Sequence, residues 1–135
     1  MKLVLFLLVA ALCACSPATA PIAPPPTVTA EGIEWTQDGS AKASEQAPPE
    51  AIATLGFTNR QGFVYRAGTQ TLEAEVFAMK SPASAFEAMQ KWRTQPEVTG
   101  FHHGSYFVVC RSRDGVGQKE LLAFAGALGQ AWQVR

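Results

Sequence analysis

Residues 61–79 show the hydrophobic alternation of two antiparallel strands joined by a turn. Apolar residues fall at every second position of residues 72–79, with Glu73 and Glu75 between them. This spacing is typical of a strand with one buried face and one face in contact with water. Residues 61–67 precede this strand across Gly68, so the whole segment predicts a hairpin.

A second hairpin is predicted farther along the chain. Residues 98–103 and 106–113 flank the pair Gly104-Ser105, and glycine at the first central position suits a type II′ turn. The apolar run in residues 106–110 has no polar alternation, which indicates a strand in the interior of the sheet.

Capping residues and apolar spacing predict three helices. The prolines at 48–49 open a short helix, because proline is tolerated in a first helical turn. Ser81 and Pro82 begin a second helix that continues to about residue 95. The third helix covers about residues 118–128, with apolar residues every three or four positions.

These elements predict an α+β fold. We expect a single antiparallel sheet of about four to five strands, with two to three helices packed on one face. The folded domain is expected to cover residues 31–135, a length that allows one hydrophobic core.

Residues 1–14 have the pattern of a bacterial export signal. Lys2 precedes an unbroken apolar run in residues 3–12, which is too short for a spanning helix. The following residues, Leu12-Cys13-Ala14-Cys15, resemble the lipobox of bacterial lipoproteins. An ordinary signal peptide that is cut after Cys15 is the alternative.

The lipobox resemblance implies that Cys15 begins the mature protein and carries the lipid that attaches it to a membrane. Two or three acyl chains hold a protein where one chain binds weakly. Serine at position 16 implies sorting to the outer membrane of a bacterium with two membranes, facing the periplasm. Residues 15–30 are expected to form a tether, because their prolines and lack of charge favour extended polyproline II.

The charge balance gives no electrostatic attraction for nucleic acid. The chain has eleven basic and eleven acidic residues, and removal of residues 1–14 takes away only Lys2. Proteins that bind nucleic acid through phosphates carry a basic patch, and the charges here are scattered. We therefore expect no nucleic-acid partner.

Cys110 is expected to be a core residue. It ends the apolar run at residues 106–110, and the neighbouring Arg111 would point to the opposite face of a strand. With Cys13 removed and Cys15 lipidated, no disulfide within the chain is expected.

Glu73, Glu75, His102 and His103 are the candidates for acid–base chemistry. The two glutamates share one strand face, which suits paired carboxylates but is also typical of a solvated face. The adjacent histidines point to opposite strand faces, and no cluster at ligand spacing accompanies them. We therefore predict no catalytic residue, no metal site and no cofactor.

Three aromatic residues are expected at an exposed surface for a partner or ligand: Trp35, Tyr65 and Phe101. Trp35 and Ile33 share one face of a further short strand. Most other aromatic residues fall on apolar stripes and are expected in the core.

Residues 56–128 resemble an uncharacterised family of exported bacterial proteins, known only as a domain of unknown function. The resemblance rests on the segments Gly-Phe-Val-Tyr-Arg at 62–66 and Val-Phe-Ala-Met-Lys-Ser-Pro-Ala-Ser-Ala-Phe at 76–86, and on the aromatic strand at 106–109. It implies an α+β fold and a location in the cell envelope, and it brings no activity.

The leading hypothesis is a membrane-anchored, non-enzymatic binding or accessory module of the periplasm, with a protein partner in the envelope. It rests on the tether, the small size and the missing catalytic signature. The alternative is a small-ligand-binding protein with a cavity between sheet and helices, lined by Phe77, Phe86, Trp92 and Phe107. A small hydrolase-like enzyme that uses the four acid–base candidates is the third hypothesis.

Overall fold

Six antiparallel strands form one sheet in the computed structural model, which describes residues 22–43, 46–93 and 95–133. The spatial order of the strands is β1-β2-β3-β4-β6-β5, and three helices complete the described part. The strands are β1 (Thr27–Ala30), β2 (Ile33–Gln37), β3 (Phe57–Ala67), β4 (Gln70–Met79), β5 (Val98–His103) and β6 (Tyr106–Ser112). The helices are α1 (Glu50–Leu55), α2 (Pro82–Lys91) and α3 (Gln118–Gln133).

β4 lies in the interior of the sheet and is buried on both of its faces. On one face, Leu72 and Val76 share a buried cluster with residues of α3. On the opposite face, Phe77 and Met79 share a second cluster with residues of α1 and α2. Because successive side chains of a strand point to opposite faces, the helices therefore cover both sides of the sheet.

The sheet curls around α3. This helix contacts β1 and β5, although these are the two outermost strands of the sheet. Leu121, Phe124 and Leu128 of α3 are fully buried, and Trp132 extends the same apolar stripe. The apolar spacing predicted this stripe, and the helix continues beyond its expected end at about residue 128 to Gln133.

The prediction of about four to five strands with helices on one face is wrong. The described residues form six strands, and α3 lies on the face opposite to α1 and α2. The expected number of strands is too small because β1 lies in the segment that was expected to form a tether. The helices were expected on one face because Glu73 and Glu75 indicated a solvated face of β4, whereas both side chains are buried. A two-sided sheet provides room for helices on both faces.

The folded unit begins before residue 31, so that residues 22–30 do not belong to a tether. β1 pairs with β2, and Ile22 is buried. The hydroxyl of Tyr65 donates to the carbonyl of Pro25 at 2.7 Å, and the backbone N–H of Gln37 donates to Pro26 at 2.8 Å. The sequence did not predict β1 because prolines directly precede it. The carbonyls of Pro25 and Pro26 nevertheless accept these hydrogen bonds. Residues 1–21, including the lipobox at Cys15, lie outside the described residues.

Both hairpins are confirmed, and the three predicted helices are present, although α2 and α3 end at other residues than expected. The hydroxyl of Ser81 accepts a hydrogen bond from the backbone of Ser84, and Pro82 occupies the first turn of α2. This helix ends at Lys91 rather than at about residue 95. No helix in the described ranges is long and apolar enough to cross a membrane.

Candidate functional site

A buried cluster of ion pairs lies on the face of the sheet that α1 and α2 cover only in part. Glu75 of β4 accepts hydrogen bonds from Arg60 Nε at 2.9 Å and Arg60 Nη2 at 2.6 Å. Its other carboxylate oxygen accepts from Arg111 Nη1 at 3.3 Å. The Glu75 side chain is 6% exposed, against 25% for Arg60 and 13% for Arg111.

The register of three strands brings these side chains together. Glu75 lies opposite Gly62 of β3 and Val109 of β6. Arg60 and Arg111 are each two residues from those positions, so that they share the face of Glu75 and reach it diagonally. Arg60 also donates to the carbonyl of Gln46 and stacks over the ring of Phe77, with 5.3 Å between the guanidinium carbon and the ring centroid.

The same face continues along β4 to Glu73, which is also buried. Arg113 Nη1 lies 3.2 Å from a carboxylate oxygen of Glu73. The chain after β2 covers this region, since a methyl group added at Gly62 would overlap Ala43. The expectation that Glu73 and Glu75 lie on a solvated face is therefore wrong, because arginines pair with the carboxylates and allow their burial.

This arrangement is better suited to holding charge than to transferring protons. A general base needs an accessible lone pair within hydrogen-bond distance of its substrate. The carboxylate of Glu75 instead uses both of its oxygens to accept hydrogen bonds from two guanidinium groups. Its role is to fix the position of Arg60 and Arg111, since paired guanidinium groups lose side-chain freedom.

An open cleft of about 520 Å³ lies beside the cluster. Lys42 and Arg60 contribute positive charges to it, and the negative charge of Glu75 is shared with Arg111. The ammonium group of Lys42 makes no hydrogen bond to any other residue in the described part of the chain. Among the described residues that line the cleft, two positive charges therefore stand against one negative charge. The lining of the cleft consists of Ala41, Lys42, Ala43, Arg60, Gln61, Gly62 and Glu75.

The two histidines lie on opposite faces of β5, as strand alternation predicted. The ring of His102 contacts the edge of Phe86 with 5.5 Å between centroids, and His103 stacks on Trp132 at 5.0 Å. Burial lowers the pKa of His103, and the neighbouring His102 lowers it further. No group of three or more His, Cys, Asp or Glu side chains among the described residues is placed to hold a metal ion.

Two of the three aromatic residues expected at a surface are core residues. Trp35 is 1% exposed and Tyr65 is fully buried, and both contact Phe124 of α3 edge to face. They are buried because the sheet curls and brings β2 and β3 over this helix. Phe101 alone of the three is partly accessible, next to Gly129.

The cavity expected between sheet and helices is filled by side chains. Phe77 and Phe107 are fully buried in the cluster with α1 and α2, and Trp92 packs against them. Phe86 points outwards and is 44% exposed. These four residues therefore do not line a common cavity. The cleft lies farther along the same face, and sequence reasoning did not assign Lys42 or Arg60 to it.

Cys110 is a core residue, as its apolar neighbours predicted. The side chain is fully buried, and burial raises the pKa of its thiol to about 12, although Arg111 partly opposes this. A thiol with so high a pKa provides almost no thiolate at neutral pH and is a poor nucleophile.

Comparison of the chain with protein-family models, with curated proteins and with solved structures finds no match. The resemblance of residues 56–128 to a family of exported proteins, and that of residues 12–15 to a lipobox, therefore stay predictions from the sequence.

Proposed function

We propose that this protein is a lipid-anchored, non-enzymatic binding module of the bacterial envelope, and that its cleft holds an anionic group. The observation that carries the proposal is the excess of positive charge among the described lining residues of the cleft. Arg60 is held by Glu75, and Lys42 lines the cleft as an exposed residue without a partner among the described residues. Carboxylates and phosphates are the groups that paired guanidinium and ammonium donors bind best.

Binding is favoured over catalysis because the acid–base candidates are already engaged. Glu73 and Glu75 are in ion pairs with arginines. The histidines contact aromatic rings on opposite faces of a strand, His102 edge to face and His103 by stacking, so that they do not converge on one substrate atom. A catalytic pair needs convergent groups within hydrogen-bond distance of the reacting atoms.

The anchor is proposed from the lipobox at residues 12–15. From Cys15 to Ile22 the chain has seven steps, which span at most about 25 Å when fully extended. Because the folded unit includes residues 22–30, the module stays closer to the membrane than a tether of residues 15–30 would allow. We propose the periplasmic side of the outer membrane, where an envelope protein or a soluble small molecule supplies the anionic group.

Calorimetric titration of the full-length protein in detergent micelles tests this function. The probes are inorganic phosphate and acetate, which carry the two proposed anionic groups. Lys42→Gln removes one positive charge from the cleft. Lys119→Gln is the control, because it removes one positive charge from an exposed residue at the start of α3, outside the cleft lining. The two variants have the same net charge, so that a difference between their affinities shows that the position of the removed charge matters.

We expect Lys42→Gln to weaken anion binding about three- to tenfold, as is typical for one partly solvated charge contact. Lys119→Gln should bind like the unsubstituted protein, and added salt should weaken binding because the cleft is open. Equal effects of both variants, or no measurable binding of either probe, would contradict the proposal. A pull-down from solubilised envelopes then distinguishes a protein source of the anion from a small molecule.

A further inference from the structure

β5 is an outer strand whose free side, among the described residues, is paired only at Val98, by an isolated bridge to Gln95. It pairs with β6 on one side, and none of the strands in the described part lies on its other side. An exposed strand edge presents N–H and C=O groups that can pair with another strand.

The hydrogen-bond pattern shows which backbone groups are free. The N–H of Ser112 donates to the carbonyl of Glu97 at 2.8 Å, so this pair is of the hydrogen-bonded type. Antiparallel ladders alternate, and therefore Thr99 and Phe101 bond to β6, whereas Gly100 and His102 direct their N–H and C=O groups to the free edge. Each of these two residues thus offers one donor and one acceptor.

The edge of β5 lacks the features that protect strand edges. Natural edges carry charges, prolines or bulges, or are very short. β5 has six residues, none of which is Lys, Arg, Asp, Glu or Pro. The opposite edge differs, because β1 has four residues and follows three consecutive prolines. The accessible edge is therefore the one without protection.

Apolar side chains flank this edge on both faces of the sheet. Among the described residues, Phe86 and Leu122 are the exposed large hydrophobic side chains, at 44% and 48%. Phe86 packs on the ring of His102 on one face. Leu122 lies on the other face, in a groove of about 370 Å³ between β5 and α3. No residue of α3 from Leu121 onwards carries a formal charge.

We infer that the β5 edge pairs with β5 of a second copy of this chain, antiparallel and around a two-fold axis at Phe101. In this register Gly100 of each copy lies opposite His102 of the other, so that every free donor meets a free acceptor. A register centred on Gly100 would instead place His102 opposite Val98, whose N–H already donates to Gln95 at 3.2 Å. The axis at Phe101 is therefore the self-complementary choice.

The absence of charge favours a second copy as the occupant. Two identical strands bring any charged residue against itself or its near neighbours, and like charges that face each other are destabilising. β5 contains no Lys, Arg, Asp or Glu, and neither does α3 from Leu121 onwards. The pairing would join two sheets into one of twelve strands, with Phe101 and Leu122 of both copies in contact and withdrawn from water.

Cysteine cross-linking in the full-length protein tests this register. Across the two-fold axis, the two copies of residue 101 form a non-hydrogen-bonded pair with about 4.5 Å between Cα atoms, within disulfide range. His103 is on the same strand face and is partly accessible like Phe101, but it would lie opposite Thr99 of the other copy. Its two copies would be about 14 Å apart, beyond disulfide range. Phe101→Cys and His103→Cys thus form a matched pair.

We expect Phe101→Cys to give at least ten times more covalent dimer under oxidation than His103→Cys. The unsubstituted chain controls for the native cysteines. Equal cross-linking of the two variants, or none from Phe101→Cys, would overturn the register. A cross-linked product whose mass is not twice that of the chain would overturn the second copy as the occupant.

A second pair of variants tests the backbone groups themselves. His102→Pro removes the N–H that faces the free edge and leaves the bonds to β6, whereas His102→Ala removes only the side chain. In sedimentation velocity, His102→Ala should remain dimeric and His102→Pro should become monomeric with an unchanged circular dichroism spectrum. A monomeric unsubstituted protein, or a His102→Pro variant that stays dimeric, would refute the pairing. If His102→Pro does not fold, the cross-linking pair decides.

Discussion

Replacement of Glu75 by glutamine tests whether the buried ion pairs stabilise the sheet as their geometry indicates. The substitution keeps the size of the side chain and removes its charge. Arg60 and Arg111 would then remain partly buried without the carboxylate that accepts their hydrogen bonds. Loss of one member of a buried ion pair is costly because the remaining charge stays in a poorly solvated site.

The expected loss follows from the burial of the two arginines. Breaking a fully buried pair costs about 3–5 kcal/mol. Here water reaches 25% of Arg60 and 13% of Arg111, so that solvent screens part of the remaining charge. We therefore expect Glu75→Gln to lower the free energy of unfolding by about 2–3 kcal/mol, which is on the order of 10 °C in Tm for a domain of this size.

Urea unfolding at neutral pH measures this loss, with Glu87→Gln as the matched control. Glu87 forms an ion pair with Lys91 on α2, but both side chains are 49% exposed. Such a pair contributes about 0.3–0.5 kcal/mol. Arg111→Met should also cost less in the Glu75→Gln protein than in the unsubstituted one, because it then removes an unpaired charge.

An equal, small loss for Glu75→Gln and Glu87→Gln would refute this reasoning. It would mean that water screens the charges of Arg60, Glu75 and Arg111 as completely as those of the exposed pair Glu87 and Lys91. Arg60 and Glu75 would then not be fixed, and the pre-oriented lining of the cleft would lose its physical basis.

Three further predictions follow from the core, the N-terminal segment and the lipobox. Tyr65→Phe should lower the free energy of unfolding by about 1–2 kcal/mol, because the carbonyl of Pro25 keeps only the hydrogen bond from Gln37 Nε2 and that amide loses the Tyr65 hydroxyl as an acceptor. Tyr106→Phe should have little effect in the same urea assay. Because burial raises the pKa of the Cys110 thiol from 9.0 to about 12, the unfolded chain releases this proton at lower pH than the folded protein. Stability should therefore fall between pH 9 and 12, and less steeply in Cys110→Ala. Cys15→Ser should abolish metabolic labelling with a fatty acid, and normal labelling of this variant would exclude the lipobox.

Local patterns predicted most of the elements because they depend on neighbouring residues. The hairpin at Gly68, the cap at Ser81 and the apolar stripe of α3 follow from residue types a few positions apart. The strand β1 was missed, since only Val28 and Ala30 are buried and prolines dominate its surroundings. The hydrogen bond from Tyr65 to Pro25 joins residues 40 positions apart, a separation that no local pattern encodes.

The cleft could not be predicted because it depends on strand register. Alternation places Glu73 and Glu75 on one strand face, but it does not show which residues of the adjacent strands share that face. Arg60 and Arg111 reach Glu75 only through the pairing of Gly62 and Val109 with it. Alternating charged residues are also usual on solvated strands. The burial of Glu73 and Glu75 therefore follows only from the arrangement of β3, β4 and β6 in the sheet.

The most direct test of the proposed function is to map which backbone amides respond to inorganic phosphate in ¹H–¹⁵N spectra of the full-length protein in micelles. We expect saturable shifts confined to the lining of the cleft, above all at residue 42, Gln61 and Gly62, and about three- to tenfold more phosphate for half-saturation in Lys42→Gln. Shifts centred elsewhere on the molecule, or an unchanged response in Lys42→Gln, would contradict the proposed function.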